Sequence, residues 1–243
     1  MGLFGNTQPN NEGKTNLNLS AENMDKNIGK NILENEEMFK KIFNRSSDIM
    51  FREIKIQGKT KLFLIYVDGM VNTDIVISNI LEPLMYAGLP QGLGAVDTVS
   101  EMLEQDRFTV LQTKKVSSVN DISESILKGN LALFIDGESI ALLADVKKIE
   151  TRSIQESALE PTLRGSRESF TENLRTNTTL IRRIIASPNL KVEELKIGKL
   201  TRTDVAVVYI EGVASISVLD KVLSRIKRIQ MDGVLESGII EES

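Results

Sequence analysis

Histidine, cysteine and tryptophan are absent from the 243 residues. Without cysteine there is no disulfide, no thiolate nucleophile and no thiolate-bound metal. Without histidine there is no Ser-His-Asp triad, no imidazole base and no imidazole-ligated zinc or haem. Any chemistry falls to carboxylates, Lys, Tyr, Ser or Thr, with an oxygen-ligated cation at most. Aromatics are scarce at 5% and nowhere interleave with basic residues as a stacking platform for single strands requires. The net charge of −4 has the wrong sign for a nucleic-acid footprint, so no nucleic-acid partner is expected. No apolar run reaches the roughly 18 residues that cross a bilayer. The start lacks a basic-then-apolar leader, and Met1-Gly2-Leu3-Phe4-Gly5-Asn6 lacks the Ser or Thr of a myristoylation site. Gly92-Leu93-Gly94 follows a helical pattern and misses the third glycine of a dinucleotide fingerprint. No cofactor and no metal is expected.

What is present is an ordinary globular composition, 41% hydrophobic and 26% charged. Residues 1–27 are polar and aperiodic and read as a disordered tail. Ile28, Ile32, Phe39, Ile42 and Phe43 recur at helical spacing from Asn27 onward. Asp48 to Ile56 reads as a strand, Gly58-Lys59 as a turn, and Leu62 to Val67 as a strand buried on both faces. Ile75 to Leu84 forms a second helix, stopped near Pro83. Phe108–Leu111 is a candidate strand, Ile122–Leu127 a short helix closed by Gly129, and Leu131–Ile135 a strand. Asp136-Gly137 signals a hairpin returning through Ser139–Val146, and Glu150–Ile154 extends that small sheet. Ser169-Phe170-Thr171-Glu172 has the capping-box pattern for a helix that carries Leu174, Leu180, Ile181, Ile184 and Ile185 and halts before Pro188. Strands follow at Leu190–Ile197 and Val205–Ile210, then a helix through Val218, Leu219, Val222, Leu223, Ile226 and Ile229.

The order helix, strand, turn, buried strand, acid-Gly, helix therefore occurs twice. Ser46/Ser187, Glu53/Glu194, Lys55/Lys196, Leu33/Leu174 and Ile56/Ile197 align at an offset of 141 (197 − 56). Tyr66-Val67-Asp68-Gly69 answers Tyr209-Ile210-Glu211-Gly212 at 143 (209 − 66). The expected fold is α+β with mixed sheets, internally duplicated, in two lobes. The first spans 28–155 and holds the small inserted β-rich segment. The second spans 169–243, and 156–168 is the linker.

Two constellations carry charge. Asp68, Asp136 and Glu211 each end a strand beside a glycine. Such carboxylates are either turn formers or, if they converge, an acid or cation site. Arg164, Arg167, Arg175, Arg182 and Arg183 cluster around the third helix, with Glu172 three residues before Arg175. That face is a solvated salt-bridge network, a partner interface or a small-anion clamp.

Four ordered segments suggest a family. They are Arg164-Gly165-Ser166-Arg167-Glu168-Ser169-Phe170-Thr171-Glu172-Asn173-Leu174-Arg175 with Arg182-Arg183, then Ser187-Pro188-Asn189-Leu190, then Val208-Tyr209-Ile210-Glu211-Gly212, then Asp232-Gly233-Val234-Leu235-Glu236-Ser237-Gly238. Together with Phe134-Ile135-Asp136-Gly137 they resemble the A subunit of GerA-type spore germinant receptors. Ser166 stands where that family usually has Pro, and Ile184 where it often has a third Arg.

The resemblance implies the soluble N-terminal domain of a membrane-bound nutrient receptor subunit, on the cytoplasmic side of the spore inner membrane, with membrane helices after Ser243. It implies partners in a transporter-like B subunit and a lipoprotein C subunit, and a role in signal relay and assembly. A homo-oligomer is a further partner expectation, independent of the resemblance. A non-enzymatic role is expected, with Arg164, Arg167, Glu172, Arg175 and Arg182 as the partner interface. Two alternatives are a nutrient site between the lobes and a carboxylate enzyme built on Asp68, Asp136 and Glu211.

Overall fold

A computed structural model of the chain describes residues 23–56, 60–82, 113–148, 170–229, 231–234, 238 and 240. In chain order the elements are α1 (Ile32–Ile42), β1 (Ile49–Ile56), β2 (Thr60–Val67), α2 (Thr73–Val76, continued by a π turn Ile77–Leu81), β3 (Thr113–Val116), α3 (Val119–Leu127), β4 (Leu131–Ile135), β5 (Ala141–Ala144), α4 (Leu174–Ile184), β6 (Leu190–Ile197), β7 (Thr203–Ile210) and α5 (Ile216–Arg228). The α+β class holds. The strands, expected in mixed sheets, pair antiparallel throughout: a five-stranded sheet in the order β1-β2-β4-β5-β3 and a two-stranded sheet β6-β7. The only parallel contact among the described residues is a single bridge, Ser46 to Val192.

The five-stranded sheet is covered on both faces, which is why β2 reads as a continuous apolar run. Phe63, Ile65 and Val67 point to one side, against Phe39 and Ile42 of α1 and Ile122 and Ile126 of α3. Leu62, Leu64 and Tyr66 point to the other, against Val76 and Ile80 of α2. The period of two along a strand separates the two cores. Phe39 and Phe134 rings sit 5.1 Å apart, and Phe63 and Phe134 5.5 Å apart, in tilted arrangements that favour aromatic contact. The inserted segment of the first half thus supplies β3, α3, β4 and β5 to this sheet. The second half has a thinner core of Ile197, Ile226 and Val234 between β6-β7 and α5.

The duplication is visible atom by atom. β1 and β6 begin 141 apart (190 − 49), β2 and β7 143 apart (203 − 60), and α1 and α4 142 apart (174 − 32). Asn31 and Asn173 cap the two helices with side-chain oxygens, accepting from Leu33 N and Thr176 N. Asn35 bonds both the N–H and the C=O of Gly29, at 2.9 and 2.7 Å. Asn177 does the same to Thr171, both at 2.7 Å. Asp68 N donates to Asp48 O and Glu211 N to Asn189 O, each at 2.8 Å. Gly69 and Gly212 both take positive φ, 82° and 86°.

Four local expectations need correction. The tail does not extend through 27: Ile28 N donates to Ser117 O and Val119 N to Lys26 O, so residues 26–28 are pinned beside α3. Helix α1 starts at Ile32, not near Asn27, because Asn31 is the cap. Helix α4 starts after Asn173, so the Ser169–Glu172 box is not its start and Glu172 lies ahead of the helix. The helices align at 142, so Leu174 matches Ile32 and the Leu33/Leu174 pairing was one residue out. The Gly58-Lys59 turn, the Pro83 stop, the strands expected at 108–111 and 150–154 and the linker 156–168 lie outside the described residues.

Gly69 shows why the acid-Gly step carries glycine. A Cβ there would lie 2.5 Å from Thr179 Oγ1 and 3.1 Å from Arg175 Cγ, both on α4, and φ is positive. At Gly137 φ is also positive but nothing lies within 4 Å. Gly137→Ala should cost roughly 1 kcal/mol, from backbone strain alone. Gly69→Ala should cost about 1–3 kcal/mol more, because α4 must move. Urea unfolding of the two variants checks this, and equal losses would mean that α4 does not rest on Gly69.

Candidate functional site: a polar seam between the repeats

Where the two repeats meet, the contacts are polar. Helix α4 ends at the Ser187-Pro188 turn, and the matching turn between α1 and β1 lies against it. Arg182, on the last turn of α4, is 1% exposed in its side chain. Its Nε and Nη2 donate to Asp48 Oδ2 and Oδ1, both at 2.8 Å. Its Nη1 donates to Ser187 O and Leu190 O, both at 3.0 Å. The partners lie 134 residues apart in sequence. A planar guanidinium matches a carboxylate in this two-pronged way, and the two carbonyls take protons that would otherwise be stranded.

Further contacts run along the same seam. Ser47 N donates to Val192 O at 2.8 Å and Val192 N to Arg45 O at 3.1 Å. Lys191, 1% exposed, donates to Asn44 Oδ1 at 2.6 Å and Ile42 O at 3.3 Å, behind the end of α1. Its Nζ also lies 3.3 Å from Glu211 Oε2. That oxygen accepts no hydrogen bond from a described residue, so this pair is Coulombic. Arg45 pairs with Glu193 at 2.9 Å, and Tyr209 donates its hydroxyl to the same Glu193 oxygen at 2.6 Å. Burial pushes the Lys191 ammonium below its ordinary value, with Glu211 opposing. Burial, then the Glu193 carboxylate, pushes the Tyr209 phenol up. Burial pushes the Glu194 carboxyl up, helped by the charges of Asp48, Asp204 and Asp68.

Arg175 sits about two turns before Arg182 on α4 and makes the outer contact. Its Nη2 lies 2.9 Å from Asp68 Oδ2, with side-chain exposures of 66% and 27%. The seam therefore holds one buried cross-repeat ion pair, Arg182–Asp48, and two partly exposed ones, Arg45–Glu193 and Arg175–Asp68.

The sequence-based interface splits accordingly. Arg164 and Arg167 lie outside the described residues. Glu172 is exposed ahead of α4, and Arg175 pairs with Asp68. Arg182 does not face a partner: it is buried inside the domain, so reversing its charge cannot leave the fold intact. The three acid-Gly carboxylates do not converge. Asp68 is held by Arg175, Glu211 faces Lys191, and Asp136 stands 3.5 Å from Ile32 N at the start of α1. Among the described residues no group of three or more acidic side chains could hold a metal. Arg182, Asp48 and Lys191 are buried along the seam between the repeats. Asp48, Lys191, Arg45 and Glu193 escaped the sequence reading because a partner more than a hundred residues away leaves no local pattern.

Removing one member of a buried ion pair strands the other charge. Arg182→Ala is expected to lose about 3–5 kcal/mol of unfolding free energy, and Arg182→Lys to recover only part of it, since an ammonium cannot reproduce the fork. Glu194 supplies a pH test. A carboxyl raised above its ordinary 4.5 weakens the fold only when ionised. Its penalty is absent below pH 4.5, where folded and unfolded states are both protonated, and it is complete above the raised folded value. Glu194→Gln should therefore stabilise the chain at pH 7, by a few tenths of a kcal/mol given its exposure. The gain should vanish below pH 4.5 in thermal melts across that range.

The described residues thus form a two-repeat α+β unit closed by an internal ionic seam. A profile of the Bacillus/Clostridium GerA spore germination protein matches residues 37–243, and the chain belongs to that family. It is 38% identical over 221 residues to the uncharacterized membrane protein YfkQ of Bacillus subtilis, covering 91% of this chain and 42% of that protein. It is 36% identical over 217 residues to spore germination protein KA of the same organism, covering 88% and 38%. The chain thus spans well under half the length of these relatives. The N-terminal domain of the A subunit of the Bacillus megaterium spore germinant receptor GerK3 superposes with a TM-score of 0.66 at 28% identity, over 89% of this chain and 79% of that one. Family and fold therefore agree: the chain is a GerA-family protein whose fold is that of the N-terminal domain of a germinant-receptor A subunit. No described helix is long and apolar enough to cross a membrane.

Proposed function

We propose that this domain relays the germinant signal within its receptor and helps assemble it, and that it does so by exchanging partners at the outer end of the seam. In this reading it lies on the cytoplasmic side of the spore inner membrane, beside a transporter-like B subunit and a lipoprotein C subunit. Residues 28–155 and 169–243 act as two lobes joined through 156–168. Arg164, Arg167, Glu172 and Arg175 form the docking face, and Arg182 is the internal pin behind it.

The observation that carries the reading is the contrast between the two arginines of α4. The Arg182–Asp48 pair is dry and satisfied by four hydrogen bonds. The Arg175–Asp68 pair is half in water, where such a pair contributes about 0–1 kcal/mol. An acidic group on a partner subunit can compete for Arg175 at little cost to the fold. It would thereby act on the step where α4 rests on Gly69.

Arg175→Glu in the full-length receptor is expected to slow nutrient-triggered germination at normal receptor levels, while the isolated domain loses no more than about 1 kcal/mol of stability. Combining it with Asp68→Arg restores the internal pair. If Arg175 serves docking, germination stays impaired in that double variant. Wild-type germination by Arg175→Glu spores with normal receptor content would sink the proposal.

A further inference from the structure

The β6-β7 hairpin tip and the end of α5 carry a group of basic side chains with no ion-pair partner among the described residues. The loop between β6 and β7 is tied to the segment following α5: Lys199 N donates to Met231 O at 2.9 Å and Leu200 N to Asp232 O at 2.8 Å. This brings Lys199 and Arg202 of the loop to the end of the molecule where Arg225, Lys227 and Arg228 occupy the last turn of α5. All five are exposed, and none has an ion-pair partner among the described residues, unlike Lys196, which holds Asp204 at 2.6 Å. Asp232 is the one acidic residue among the described positions of this loop and the segment tied to it. Two apolar side chains stand out at the same end, Leu200 at 79% exposure and Met231 at 46%.

Cations in a last helical turn are favoured by the helix dipole, which accounts for Arg225, Lys227 and Arg228. It does not account for Lys199 and Arg202, nor for a leucine presented almost wholly to water at the tip of a hairpin. A net charge of −4 over the whole chain makes a local basic rim directional: an anionic surface attracts this end and repels the rest. Basic side chains around protruding apolar ones match an anionic bilayer, whose headgroups take the charges while its boundary takes the apolar tips.

We infer that the β6-β7 hairpin tip and the end of α5 form a contact surface for anionic phospholipid. The inference rests on the reading above that the domain works beside a membrane, and it names the face turned toward it. Each basic side chain near such a surface contributes about 1 kcal/mol of attraction, and salt screens it.

The test uses the 243-residue chain and sedimentation with vesicles of phosphatidylglycerol and phosphatidylcholine in equal parts, against phosphatidylcholine alone. Binding is expected to the mixed vesicles only and to weaken with salt. Lys199→Glu/Lys227→Glu/Arg228→Glu should bind at least about tenfold more weakly while remaining folded, with a small drop in melting temperature from the two acidic residues placed at the end of α5. Leu200→Ser should weaken binding even at low salt. No binding to the mixed vesicles, equal binding to both vesicle types, or an unaffected triple variant overturns the inference. So does receptor protein lacking lipid captured by the wild-type chain and lost with the triple variant, which would make this an acidic-protein interface. None of these outcomes touches the germination phenotype at Arg175, so failure here and failure of the relay reading are separable.

Discussion

A guanidinium stripped of water must have its protons taken up by acceptors held in one plane, and Arg182 finds them only if two parts of the chain come together. Asp48 supplies two from the first repeat, and the carbonyls of Ser187 and Leu190 supply two from the second. Satisfying one side chain therefore fixes the distance between the α1–β1 turn and the α4–β6 turn. The Ser46 to Val192 bridge and the Lys191 contacts to Asn44 and Ile42 then follow at the same place. The absence of a side chain at Gly69 lets α4 descend far enough to complete it. Breaking the central pair would leave a buried carboxylate facing nothing, so losing either member costs more than the intact pair contributes.

The two repeats use one local grammar in different surroundings. Strand β2 is buried along its last six residues because β4 lies beside it and helices cover both faces. Its counterpart β7 has the same length and a similar apolar run, yet its residues are only partly buried. Among the described residues no strand pairs with its outer edge. The first repeat gained a sheet from the inserted segment, while the second kept a hairpin and one helix over a small core. A core that thin supplies limited stabilisation by burial, so the second repeat depends on the seam more than the first does.

That asymmetry explains how much of the molecule could be read from its residues. The order of the described elements apart from β3, the buried character of β2, the glycines after β2, β4 and β7, and the duplication all come from local pattern and composition, and these are present. The helix starts were misplaced because the caps are Asn31 and Asn173. The better-known Ser-x-x-Glu pattern nearby drew the boundary forward. The pairing of Asn35 with Asn177 would have set the 142 offset, but an asparagine inside a helical stretch carries no periodic signal. The seam was legible only in part. The sequence marks Arg175 and Arg182 as members of one basic cluster around α4, but not that Arg182 is buried against Asp48. A charge seven residues along a helix looks alike from sequence whether water or Asp48 waits for it.

The energetics of the seam also bound what a relay through it can do. A surface pair such as Arg175–Asp68 contributes about 0–1 kcal/mol, whereas coupling between distant sites typically amounts to 1–3 kcal/mol. Exchange of Arg175 between Asp68 and a partner acid therefore cannot by itself supply a useful signal. It can bias one only if the same movement changes a second contact. Helix α4 packs on β7, and β7 leads back to the loop that carries Lys199, Leu200 and Arg202. In the proposed relay, a shift of α4 against Gly69 would reach the hairpin whose tip bears the basic rim, with Arg182 as the fixed point between them. Two weak, water-exposed contacts at opposite ends of one repeat, pivoting on a strong buried one, can together reach the coupling that neither reaches alone.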